Sequence, residues 1–270
     1  MPHSKFRIDH KVPITSLEMF SGPYREIPVD RNDERSNEPL IPLESVKVAY
    51  ESYYAKTDGQ NPPFYRAIEG SHKDVWLRKS VAEKLARVNK LLAPYDAELF
   101  VLDGYRTVDC QQGLWNFYFE KAKQENPAAS EQEHRARAMQ FIIDPASFDE
   151  NDSRTWPAHS SGGAIDLTLR DLTNGELLDM GARFEEDTKT SPADYFECEL
   201  VAGRIDEGDI RLQNRRLLNW AMTSEGLLNE TAKVVWHYDW GNQIYVRASR
   251  VFLPNPPTCA WYGYIAAPNE

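Results

Sequence analysis

The sequence predicts an α+β fold, a mainly antiparallel sheet with helices packed on it. Two observations carry this. Helical and strand-like segments come in blocks rather than in strict alternation, and "ELFVLDGYR" and "AIDLTL" read as strands with two helical segments between them. There is no internal repeat.

Residues 1–65 read as an irregular segment packed on the core, with scattered proline and a short strand near Val46–Tyr50. A helix is expected from Leu77 to Leu92, because Val81, Leu85, Val88, Leu91 and Leu92 recur at helical spacing and Pro94 ends it. "ELFVLDGYR" follows as a short apolar strand reaching Gly104. Thr107 then caps a helix through "TVDCQQGLWNFYFEKAKQEN", whose Trp115, Phe117, Tyr118 and Phe119 are core residues. Ser130 and Glu133 form a capping box, and "EQEH" (131–134) is a solvated helix face. "AIDLTL" alternates like a half-buried strand. "IRLQNRRLLNWAMTSEG" is a helix stopped at Gly226. "KVVWHYDW" and "QIYVRA" read as two strands of a hairpin around "GNQ", with Trp236 and Trp240 flanking the segment. Residues 66–250 thus hold the main domain, and 251–270 a proline-rich aromatic tail on its surface.

Composition narrows the function. A net charge of −11 with no Lys/Arg block gives nucleic-acid binding little support. The N-terminus lacks a signal-peptide pattern and no run of roughly 18 apolar residues occurs, so the expectation is a cytoplasmic protein with no membrane partner. Oligomeric state is not legible. Cys110, Cys198 and Cys259 are too few and too scattered for a disulfide framework or thiolate cluster. P-loop, dinucleotide and nucleophile-elbow motifs are absent.

Among six histidines, His159 precedes the turn Gly162-Gly163 and His237 lies inside a strand-like run. The two glycines let the backbone approach closely, so His159 folds back over the strand that begins with Asp166. His159, Asp166 and His237 then offer two imidazoles and one carboxylate. That is the donor set of a catalytic zinc with an open fourth position, and equally of an iron(II) facial triad. The same residues also suit a plainer role, a turn histidine, a strand-end acid and a satisfied core histidine; spacing does not choose.

"HSSGGAIDLTL", with "LDGYR" upstream and "WHYDWGNQ" downstream, resembles the VanX family of zinc D-alanyl-D-alanine dipeptidases, and "TNGELLDMGARFEE" and "LQNRRLL" follow in family order. The likeness runs from about Leu77 to Gln243. It implies a VanX/hedgehog-like fold, a small-molecule substrate, zinc bound by His159, Asp166 and His237, and Arg106 holding or polarising substrate. Three departures stand out. The family's E-x-x-H motif carries the general base, and here it reads Val234-Val235-Trp236-His237. Pro157 replaces a motif serine. Glu185 stands where the family has an aspartate that receives the substrate's amino group.

The expectation is therefore a divergent VanX-like metalloenzyme acting on a small amino-acid-derived or dipeptide substrate. Having lost its base, it is turned to another, biosynthetic reaction such as a rearrangement, elimination or cyclisation. Glu185 and Trp236 would contact substrate. Three alternatives stand beside it: a dipeptidase with a substitute base, Asp239 first and Glu230, Glu185 or Glu186 after it; an iron(II) oxygenase; and a non-catalytic metal-binding protein. Asp103 is expected to brace the Arg106 turn.

Overall fold

The structure, a computed structural model, describes residues 6–186 and 188–267. Its strands are β1 (Leu40–Pro42), β2 (Ala49–Tyr50), β3 (Trp76–Arg78), β4 (Ala97–Asp103), β5 (Ala164–Asp171) and β6 (His237–Asp239). Its α-helices are α1 (Lys79–Leu92), α2 (Val108–Glu125), α3 (Glu131–Ala138), α4 (Tyr195–Val201), α5 (Ile210–Ser224) and α6 (Gln243–Phe252). The main sheet has the order β2-β4-β5-β6, antiparallel except where β2 joins β4 in parallel. β1 and β3 form a separate antiparallel ribbon. The fold is α+β.

α1 packs its buried stripe, Val81, Leu85, Val88 and Leu92, against β4 and α5. That spacing keeps one apolar face on the core. Leu77 and Arg78 belong to β3 rather than to this helix. α2 starts at the Thr107 cap, whose hydroxyl accepts from Cys110 N, and α3 carries the full Ser130–Glu133 capping box. In "EQEH" the first three residues are exposed, but His134 is buried and its Nε2 lies 2.9 Å from the Asn126 carbonyl. β5 is buried from Ala164 through Leu169, on both faces rather than one.

Three further expectations fail. "QIYVRA" opens α6, not a strand; Asn242 caps it, accepting from Tyr245 N at 2.9 Å. Ile, Tyr and Val favour strands, but the cap and the buried set Gln243, Val246 and Arg247 follow helical spacing. "KVVWHYDW" is extended only at His237–Asp239, because residues 235–236 form a turn. The C-terminal tail is no surface appendage: Ala260, Trp261 and Tyr262 are buried, and Ala260 bridges Val29.

Candidate metal centre

His159 sits in a single 3₁₀ turn, Ala158–Ser161, that hands over to β5 through the two glycines. Gly162 adopts φ +70°, which side chains resist. A Cβ on Gly163 would stand 2.4 Å from the Trp240 carbonyl oxygen. Gly163 O accepts from Trp240 N at 2.8 Å, so the turn is pinned beside the end of β6. His159 Nδ1 lies 2.8 Å from the Gly104 carbonyl oxygen, which can only accept. The proton is thereby fixed on Nδ1, and Nε2 keeps its lone pair facing Asp166 Oδ2, 3.4 Å away.

Strand register supplies the other two groups. Asp166 on β5 is directly opposite His237 on β6, and Asp103 on β4 is opposite Asp166. His237 Nδ1 lies 2.8 Å from Asp166 Oδ1. One donor atom from each of His159, Asp166 and His237 falls within 4.8 Å of the others. Two imidazoles and a carboxylate, one ring already oriented by a carbonyl, match a three-ligand zinc site with its supporting hydrogen bond.

The electrostatics suit a cation. Burial drives His159 down to about 3, with Arg106 adding to the effect, so its ring is neutral. Burial also opposes charge on His237, but Asp239 and Asp166 outweigh it and hold that imidazole well above its usual range. Asp166 stays below the ordinary carboxylate value: burial would raise it, and the two histidines and Arg106 more than offset that. Asp103 is pushed up to about 7 by burial, against the pull of Arg106. The sign of the pH effect on metal binding follows. Below its raised pKa, His237 carries a proton that an ion must displace. Titration with zinc should show affinity falling as pH is lowered, by up to about tenfold per unit for that one proton.

Arg106 is held rigid. Its Nε and Nη2 donate to Asp103 Oδ2 at 3.1 and 2.7 Å, Nη1 to Gln111 Oε1 at 3.1 Å and Nη2 to Tyr54 Oη at 3.3 Å. Nη2 also lies 3.9 Å from Asp166 Oδ2. Asp103 therefore does brace Arg106, and it stands 3.2 Å from His159 Nδ1 as well.

A cavity of about 340 Å³ opens over these groups. Arg106, His159, Asp166, Glu185, Trp236 and His237 all line it. Glu185 takes φ +63° and accepts from the hydroxyls of Tyr54 and Tyr118, each at 2.5 Å; burial raises its carboxyl. Asp239 lies elsewhere. It is 1% exposed, and its Oδ2 is 3.0 Å from His237 Nε2, on the far side of the ring from Asp166. Its other oxygen accepts from Asn242 Nδ2 at 2.6 Å. A group there orients the imidazole but does not reach the cavity. Replacing Asp239 with Asn should weaken zinc binding about 10–100-fold, read by competition with a chelator. Glu230 is buried in an ion pair with Arg247 and Lys233. Glu186 and Trp240 do not line the cavity either, the indole packing on Tyr245 and Trp261.

Tyr54, Gln111, Tyr118, Ile244 and the stretch 139–143 also line the cavity and were not anticipated as site residues. Gln111, Leu114 and Tyr118 share one face of α2, and the buried glutamine within that apolar face was the readable sign.

Against known families, the D-ala-D-ala dipeptidase description of peptidase M15 matches residues 47–253. A D-alanyl-D-alanine dipeptidase of Synechocystis sp. is 27% identical over 252 residues, covering 90% of this chain and 96% of that protein. The enzyme of that name from Escherichia coli is 30% identical over 163 residues, 60% of this chain and 65% of its own length. One from Enterococcus faecium is 29% identical over 163 residues, 58% and 69% of the two chains. With more than half its length matched and a metal-ready histidine–aspartate–histidine centre, the chain belongs to the D-ala-D-ala dipeptidase family, peptidase M15.

Proposed function

We propose that the chain is a zinc enzyme acting on a small amino-acid-derived or dipeptide substrate, and that ordinary dipeptide hydrolysis is no longer its main reaction. The observation that carries this is the position of Val234. On a regular strand, residues 234 and 237 would face opposite ways. Here Val234 bridges Pro192, the chain turns at 235–236, and Val234 and His237 line the same cavity. Asn229 Nδ2 clamps the turn by donating to the carbonyls of Val234 and His237 at 2.9 and 2.6 Å. A carboxylate at 234 would therefore face the same space as the metal ligands; an isopropyl group there moves no proton.

Zinc, when held by His159, Asp166 and His237, acts as a Lewis acid and acidifies bound water. The chain's own groups do the positioning. Arg106 offers a fixed positive charge beside Asp166. Glu185, braced by two phenols, is suited to hold an ammonium group. Trp236 forms part of the wall. Of the carboxylates lining the cavity, Asp166 is committed to the metal and Glu185 is the one left as a substitute base.

Two measurements test the reading. Elemental analysis of protein purified without added metal should find zinc rather than iron. Incubation of the zinc-loaded protein with D-Ala-D-Ala should release alanine slowly. Turnover near ~10 s⁻¹, typical of enzymes on their own substrates, would overturn it.

A further inference from the structure

Beside the metal cavity lies a second and larger one, of about 450 Å³, a size common among small-molecule sites. Trp236 is the one residue that lines both. Three neighbouring pairs split across the partition: Tyr53, Phe184 and Val235 line the second cavity where Tyr54, Glu185 and Val234 line the first. The wall there is one residue thick. The rings of Tyr53 and Trp236 meet Phe184 edge-on, with centroids 4.8 and 5.7 Å away, so the partition is itself packed.

The second space is lined mainly by apolar groups. Leu102, Met180, Phe184 and Leu218 are buried, and Leu177 is 51% exposed, so the apolar surface continues to solvent. One buried polar side chain breaks it. Thr168 is 9% exposed, and strand alternation puts it on the same face of β5 as Asp166. Its hydroxyl has no hydrogen-bond partner among the described residues, and a buried hydroxyl left unpaired is unfavourable. The charged lining residues are Asp179 and Arg183, opposite in sign and both exposed. Asp179 Oδ1 accepts from Gly181 N at 2.7 Å, and Arg183 Nη1 lies 3.9 Å from Glu186 Oε1. Arg215, whose Nε donates to the Met180 carbonyl at 2.8 Å, is buried and does not line the cavity. An ionic group carried past Asp179 and Arg183 would exchange water for a single hydroxyl, which is costly.

We propose that this cavity is a second ligand site, one that takes an uncharged molecule with an apolar body and one hydrogen-bonding group seated at Thr168. It is separate from the metal centre and goes beyond the function read from that centre. Its occupant would stand directly behind Glu185 and Val234.

Fluorescence titration of the purified protein tests it, with N-phenyl-1-naphthylamine, a neutral probe with one N–H, and 8-anilino-1-naphthalenesulfonate, the same frame carrying a sulfonate. Neither zinc content nor hydrolysis enters the readout, so its failure is distinct from a failure of the zinc reading. The neutral probe should bind at least about tenfold tighter than the sulfonate. Ala182→Trp, which fills the second cavity, should remove that binding, and Ile244→Trp, which fills the metal cavity, should not. Leu178→Trp repeats the filling test should Ala182→Trp fail to fold. Thr168→Val keeps the shape and should weaken binding about fivefold, the worth of one hydrogen bond. No binding, binding that survives filling of the second cavity in folded protein, or loss with Ile244→Trp alone overturns the site. A sulfonate bound as tightly as the neutral probe, or no effect of Thr168→Val, overturns the ligand class.

Discussion

Val234→Glu raises the turnover of D-Ala-D-Ala by the zinc-loaded protein by about 10²–10⁴-fold, the usual contribution of a positioned general base. The turn at 235–236 brings position 234 onto the cavity shared with His237, and the cavity, about 340 Å³, has room for two further heavy atoms. Arg106 and the bound cation favour the ionised carboxylate, the form that accepts a proton. Val234→Gln is the control: it has the same length and shape and no basicity, and its turnover should stay at the level of the native protein. Equal rates for the Glu and Gln variants would show that position 234 is not the missing step.

His237→Ala weakens zinc binding by about a hundredfold or more, read by competition with a chelator. Binding free energies of roughly 10–16 kcal/mol spread over four ligands make one ligand worth about 3 kcal/mol, or a hundredfold and more in affinity. The substitution also damages the apoprotein. His237 is the cationic partner that separates Asp166 from Asp239, both buried. Removing one member of a buried ionic set costs about 3–5 kcal/mol, so the melting temperature should fall at neutral pH. His134→Ala, a buried histidine bonded to the Asn126 carbonyl and not among the residues lining the cavity, should leave zinc affinity unchanged. Unchanged zinc affinity in the His237 variant would remove this residue from the ligand set.

Much of this was legible because short-range chemistry wrote it. The α1 stripe, the Thr107 and Ser130 caps and the paired glycines after His159 are local signals with local causes. The proposed ligand trio was visible as residue types around a turn. Its register, Asp166 opposite His237, comes from pairing between segments 71 residues apart, which no local pattern encodes. α6 was misread because Ile244, Tyr245 and Val246 favour strands while the signal that mattered was the single cap Asn242. That miss hid the role of Asp239, since Asn242 caps the helix with one atom and donates to Asp239 with the other. Tyr54 was invisible for a different reason. It lies in the irregular N-terminal stretch and reaches Arg106 and Glu185 only through tertiary packing.

The short strand β6 is three residues long and is seated between β5 and an isolated bridge from Asp239 to Leu228. Slippage by a single residue would swing His237 to the opposite face of the sheet and leave Asp166 facing Tyr238 or Trp236. A cation can be gripped in one alignment alone. On the proposed ligand set, binding of an ion would favour the correctly seated strand over every misaligned version.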